Sequence, residues 1–147
     1  MIESRIETLE ELQKIVSAAL TALVPKQGAT VLALKGDLGA GKTAFVKAVA
    51  KQLGIPHEIT SPTFVIMKSY EISSHAFFKT LIHIDAYRIE SEDEMRVLKF
   101  DEILNDKTNL VCIEWPEKIQ SLIPRDATVI ELTLNHDGTR DILYTNE

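Results

Sequence analysis

Apolar positions follow two rhythms along this chain. At the N-terminal end the spacing is helical. Leu9, Leu12, Ile15, Val16, Ala19, Leu20 and Leu23 share one face before Pro25. Thr8-Leu9-Glu10-Glu11 opens that helix as a capping box, with Thr8 at the N-cap and Glu11 at the third helical position. Residues 30–35 form a short unbroken apolar run, the pattern of a strand buried on both faces. A second helical stretch follows at 44–53. Phe45, Val46, Val49 and Leu53 share its inner face, and Gly54 stops it.

Residues 64–70 and 80–85 are two further strands. Their connection is too short for a helical crossover, so they pair antiparallel. That geometry sets Thr63 beside Asp85. Ser91-Glu92-Asp93-Glu94 is a second capping box, leading a short helix with Met95 and Leu98 inward and Val97 open between the inner and outer face. Phe100, Ile103 and Leu104 continue the pattern through another turn. Residues 109–114 make the next buried strand, parallel to its neighbour through a right-handed crossover. Segments 129–134 and 140–144 flank Asp137-Gly138 and read as an edge hairpin. The expected architecture is α/β, a P-loop NTPase-like three-layer fold. Its central sheet is mainly parallel, with an antiparallel strand pair and a C-terminal edge hairpin, in one domain over residues 1–147.

Composition narrows the class. The 147 residues are 45% hydrophobic and 26% charged, ordinary for a soluble globular protein. No apolar run approaches the roughly 20 residues of a membrane span. The N-terminus has no basic region or apolar stretch of a secretion signal, and the single cysteine, Cys112, suits a reducing compartment. A cytoplasmic location is expected. The net charge of −6, with scattered basic residues, argues against stable nucleic-acid binding by this chain alone.

The chemistry centres on residues 36–43, Gly36-Asp37-Leu38-Gly39-Ala40-Gly41-Lys42-Thr43. They fit the phosphate-loop pattern G-x-x-x-x-G-K-[ST] between a predicted strand and a predicted helix. Glycines let backbone N–H groups turn toward a phosphate. Lys42 is placed to reach the β/γ-phosphates, and the Thr43 hydroxyl to meet Mg²⁺. At ordinary residue usage the pattern arises by chance in roughly one chain of this length in two hundred.

Ligands of open α/β sheets sit at the carboxyl ends of the strands. The phosphate loop follows one strand, Asp85 ends another and Glu114 a third, with Thr63 joining them. Two carboxylates and a hydroxyl beside a phosphate loop suit Mg²⁺–nucleotide chemistry. Sequence leaves open which carboxylate is nearer the metal and which orients water. Arg88, close to Asp85, is either a surface charge or a stabiliser of the transferred phosphoryl group. His83 shares the strand face of Asp85 and reads as a packed, hydrogen-bonded histidine. Trp115 is either core or an aromatic lid. No guanine-reading Asn-Lys-x-Asp motif occurs, which favours ATP over GTP.

Four segments carry a resemblance: residues 36–43, Thr60-Ser61-Pro62-Thr63-Phe64, His83-Ile84-Asp85-Ala86-Tyr87-Arg88, and Glu114-Trp115-Pro116-Glu117. Their order and spacing resemble the bacterial TsaE (YjeE) family, P-loop ATPases of tRNA threonylcarbamoyladenosine biosynthesis. The resemblance implies an ATP- and Mg²⁺-binding subunit acting with a TsaD–TsaB complex, which transfers threonylcarbamoyl to adenosine 37 of tRNA. It implies that tRNA is held through those partners, and that hydrolysis resets or regulates the complex. It gives Lys42 and Thr43 to phosphate and metal, Thr63 to a nucleotide-sensing switch, Asp85 and Glu114 to Mg²⁺ and water, and Trp115 to the edge of the site. The family often has Leu-Gly where this chain has Leu98-Lys99, which bears on that local turn.

Two other readings compete. A small metabolite or nucleotide kinase needs a second substrate site and usually an arginine-bearing lid. Here Arg5, Arg88, Arg96, Arg125 and Arg140 form no cluster in sequence. A nucleotide-gated scaffold would bind ATP with negligible turnover.

Overall fold

The computed structural model describes residues 2–56, 58–60, 65–73 and 75–146. A seven-stranded sheet of order β1-β7-β6-β2-β5-β4-β3 forms its middle layer. The strands are β1 (Ile2–Ile6), β2 (Thr30–Lys35), β3 (Met67–Glu71), β4 (Thr80–Asp85), β5 (Asn109–Glu114), β6 (Thr128–Leu134) and β7 (Arg140–Asn146). The four central strands, β6, β2, β5 and β4, run parallel, and β3, β7 and β1 add antiparallel at the two margins.

The unbroken apolar runs become β2, β4 and β5 because both sheet faces are covered. On one face lie α1 (Leu9–Ala22) and α2 (Lys42–Gln52), packed over Leu32, Leu34, Leu81, Leu110 and Cys112. On the other lie α3 (Asp93–Val97), α4 (Phe100–Leu104) and a 3-10 segment, Pro116–Leu122, over Val31, Ile82, Ile84, Val111 and Ile113. Phe45, Met95 and Phe100 are fully buried anchors, each contributing roughly 1.5–3 kcal/mol by leaving water.

Helix α1 starts as read. Thr8 Oγ1 accepts from the Glu11 N–H at 3.1 Å, while Glu11 Oε1 accepts from the Glu7 N–H at 3.3 Å. The helix ends at Ala22 and Leu9 is exposed, so the buried stripe rests on Leu12, Val16 and Ala19. Strand β3 begins at Met67, and residues 61–64 lie outside the described set. Val97 points to solvent at 83% exposure, so α3 packs through Met95 instead.

Two features have no counterpart in the pattern of apolar positions. β1 pairs with β7, so it lies outside the C-terminal hairpin. Lys99 sits in the left-handed region, φ 57° and ψ 44°, where it links α3 to α4. The turn keeps its left-handed geometry with lysine in place.

Candidate nucleotide site

Strand β2 runs into the phosphate loop, and α2 begins at Lys42. Gly36 is required where the chain leaves the sheet. With φ at +152°, a Cβ there would lie 2.6 Å from the Leu132 carbonyl oxygen of β6. Gly41, at φ 107°, turns the loop into the helix, and no side chain caps that helix end. The first turn of α2 carries no acidic residue. Its N–H groups therefore lack side-chain competition for an anion.

Lys42 folds back across the loop. Its Nζ donates to the Gly36 and Asp37 carbonyls and lies 4.0 Å from the centroid of the Trp115 ring. Burial holds this ammonium below its ordinary value of 10.5, while Glu114, Glu117, Asp85 and Asp37 pull it partly back.

Adjacent parallel strands bring the carboxylates together. Asp85 and Glu114 are register partners at the ends of β4 and β5, and both are buried. The Thr43 hydroxyl donates to Glu114 at 3.1 and 3.0 Å from Oε1 and Oε2. His83 Nε2 lies 2.6 Å from Glu114 Oε2. Asp85 Oδ1 accepts from the Tyr87 N–H at 3.0 Å, and the Asp85 N–H donates to the Ile66 carbonyl at 2.8 Å. Glu114, not Asp85, is the carboxylate bonded to Thr43.

A cleft of about 340 Å³ joins these groups; Asp37, Leu38, Gly39, Gly41, Lys42, Thr43, Asp85, Glu114 and Trp115 all line it. Gly36 and Ala40 line an adjoining cavity of about 450 Å³ on the β6 side. Tyr87, not singled out from the sequence, also lines the cleft, with its ring centroid 5.0 Å from that of Trp115. Trp115 is half-buried in the left-handed region at φ 59°, which turns the chain sharply after Glu114. Arg88 stands exposed in the turn beyond Asp85 and is not among the residues lining the cleft. Thr63, assigned to a switch, lies outside the described residues.

Another arginine reaches the loop instead. Arg140, the first residue of β7, donates from Nε to the Ala40 carbonyl at 3.1 Å and from Nη2 to the Gly39 carbonyl at 3.4 Å. Only the β6–β7 register brings this distant residue behind the phosphate loop, so no motif signalled it.

The donor set is all oxygen: a hydroxyl and two carboxylates beside a phosphate loop. It fits Mg²⁺, which takes one or two carboxylates with phosphate oxygens and water. A mainly parallel central sheet, a phosphate loop between its strand and helix, and carboxylates at neighbouring strand ends define a P-loop NTPase-like protein. The family model described as threonylcarbamoyl adenosine biosynthesis protein TsaE matches residues 6–142, and the chain belongs to that family. Proteins named tRNA threonylcarbamoyladenosine biosynthesis protein TsaE are 33% identical in Borreliella burgdorferi and 39% identical in Bacillus subtilis. The former alignment covers 91% of this chain and 93% of the relative; the latter covers 87% and 76%. The crystal structure of YdiB from Bacillus subtilis superposes with a TM-score of 0.73 at 30% identity, covering 99% of this chain and 84% of that one. The role that follows is that of an ATP-binding subunit in threonylcarbamoyladenosine biosynthesis.

Proposed function

We propose that this chain, as one ATPase domain over residues 1–147, hydrolyses Mg²⁺-bound ATP in support of tRNA threonylcarbamoyladenosine formation by a TsaD–TsaB type complex. The observation that carries the reading is the Thr43–Glu114 hydrogen bond beside Asp85 at the mouth of the phosphate loop. The hydroxyl donates its hydrogen bond to Glu114 and keeps its lone pairs for a cation. When bound, Mg²⁺ would neutralise charge on the β- and γ-phosphate oxygens.

In this reading Lys42 leaves the Gly36 and Asp37 carbonyls and swings onto the β/γ-phosphates. The loop N–H groups and the start of α2 hold the phosphate chain. Glu114 fixes Thr43, and the charges of Asp85 and Glu114 together would hold Mg²⁺ and orient water at the γ end. Trp115 and Tyr87 screen that end from solvent. Gly41 and Ala44 also line a neighbouring pocket of about 180 Å³, between Thr8, Leu12, Leu132 and Arg140, which is assigned to the nucleoside in this reading. Arg88 is exposed in the turn that follows Asp85. The tRNA is held by the partner complex, in keeping with the net charge of −6. The protein works in the cytoplasm.

Reconstitution is the decisive experiment. Under multiple-turnover conditions, TsaD–TsaB with this protein should modify tRNA through many rounds and stall without it. ATPase of the isolated chain should be slow and should rise when the partners are added. Equal rates with and without the partners contradict the proposal. An Asp85→Ala variant that keeps the partner-stimulated rate removes Asp85 from the mechanism.

A further inference from the structure

A chain of hydrogen bonds runs inward from the cleft. Thr43 Oγ1 bonds to both Glu114 oxygens, and Glu114 Oε2 in turn bonds to His83 Nε2. His83 and Glu114 are diagonal neighbours on one face of the sheet, since His83 pairs with Cys112 and Asp85 with Glu114. His83 is 0% exposed, and its Nδ1 has no hydrogen-bond partner among the described residues. A carboxylate accepts, so the 2.6 Å contact assigns the ring proton to Nε2. The imidazole therefore donates in one direction, at Glu114.

We propose that His83 is a positioning residue for the metal end of this site. Its Nε2–H holds Glu114 from behind, so the carboxylate stays turned toward Thr43 and keeps accepting the hydroxyl's hydrogen bond. The lone pairs of Thr43 Oγ1 are thereby left to the cleft and to a divalent cation. His83 touches neither nucleotide nor metal and acts through Glu114. The proposal rests on the Mg²⁺–nucleotide reading above.

Two variants of similar bulk separate donation from packing. His83→Gln can return an N–H to Glu114, whereas His83→Leu fills the space without a donor. The readout is Trp115 fluorescence during Mg²⁺ titration of the nucleotide complex, beside ATP binding in EDTA. His83→Leu should need about tenfold more Mg²⁺, while EDTA binding stays within about threefold and His83→Gln stays near the parent. Imidazole ¹⁵N shifts of the Mg²⁺-free protein should show a proton on Nε2 of His83. That measurement is independent of nucleotide, so it stands if the parent protein shows no Mg²⁺ response and the functional reading fails. An unchanged Mg²⁺ requirement in His83→Leu overturns the proposal. So does equal loss of EDTA binding in both variants, or an Nδ1–H tautomer.

Discussion

Arg140 Nε lies 3.1 Å from the Ala40 carbonyl oxygen, which ties the C-terminal hairpin to the phosphate loop. The same side chain reaches the Gly39 carbonyl through Nη2. Holding these two carbonyls from behind keeps the loop peptides from rotating away from the phosphate. Arg140→Ala should weaken ATP binding by roughly 10- to 150-fold, the worth of a charge-assisted hydrogen bond of roughly 1.5–3 kcal/mol. Arg140→Lys, which can reach only one carbonyl at a time, should fall between. Isothermal titration with ATP measures both, and parent-like affinity in Arg140→Ala would exclude the clamp.

Glu114 and Lys42 are expected to fail differently when changed. Glu114→Gln keeps the shape of the side chain and an acceptor for Thr43. It should bind ATP within about threefold of the parent yet lose about 100-fold or more in partner-stimulated hydrolysis. Single-turnover kinetics with TsaD–TsaB distinguish the two effects. Loss confined to binding would put Glu114 outside the chemical step.

Lys42 carries a conflict between stability and function. Folding buries its ammonium and lowers its pKa from 10.5. Between the lowered value and 10.5 the unfolded chain binds more protons than the folded one, so stability rises with pH across that window. Below the lowered value the destabilisation is fully present. Lys42→Met should abolish this slope and leave the nucleotide-free protein at least as stable as the parent at pH 7, while ATP binding is lost. Urea melts at several alkaline pH values give the comparison. A parent slope retained in Lys42→Met contradicts the assignment.

Lys99 holds a left-handed conformation that costs a non-glycine residue roughly 1–2 kcal/mol. Its side chain is exposed. Lys99→Gly should therefore raise the melting temperature by about 2–4 °C, without altering nucleotide binding. A lower melting temperature would mean that the lysine side chain contributes more than the strain it causes.

Cys112 lies in the middle of β5 with no exposure, and burial pushes its thiol far above the ordinary range. Iodoacetamide should leave it unmodified in the native protein and label it at the rate of global unfolding. Mass spectrometry across a urea series makes Cys112 a stability probe; rapid native labelling would show that β5 opens locally.

Period and punctuation in the chain were enough to place α1, β2, α2, β4 and β5, because both sheet faces are buried there and leave unbroken apolar runs. The phosphate loop was legible for a local reason, since its glycines and Lys42-Thr43 act through neighbouring backbone. The meeting of Asp85 with Glu114 was also inferable, from two strand ends and the rule for where ligands sit. β1 was not, because a marginal strand buried on one side has weak patterning of its own. Val97 stayed undecided, since an apolar residue in a helix of only one turn has no periodicity to fix its face.

The sequence by itself determined that a phosphate loop stands at the end of a buried strand, and which residue types surround it. The tertiary structure alone decided that Glu114 rather than Asp85 bonds to Thr43, that His83 stands behind Glu114, and that Arg140 braces the loop. Each of these depends on strand order and register. Those are settled by the packing of the whole sheet, and no local stretch of chain encodes them.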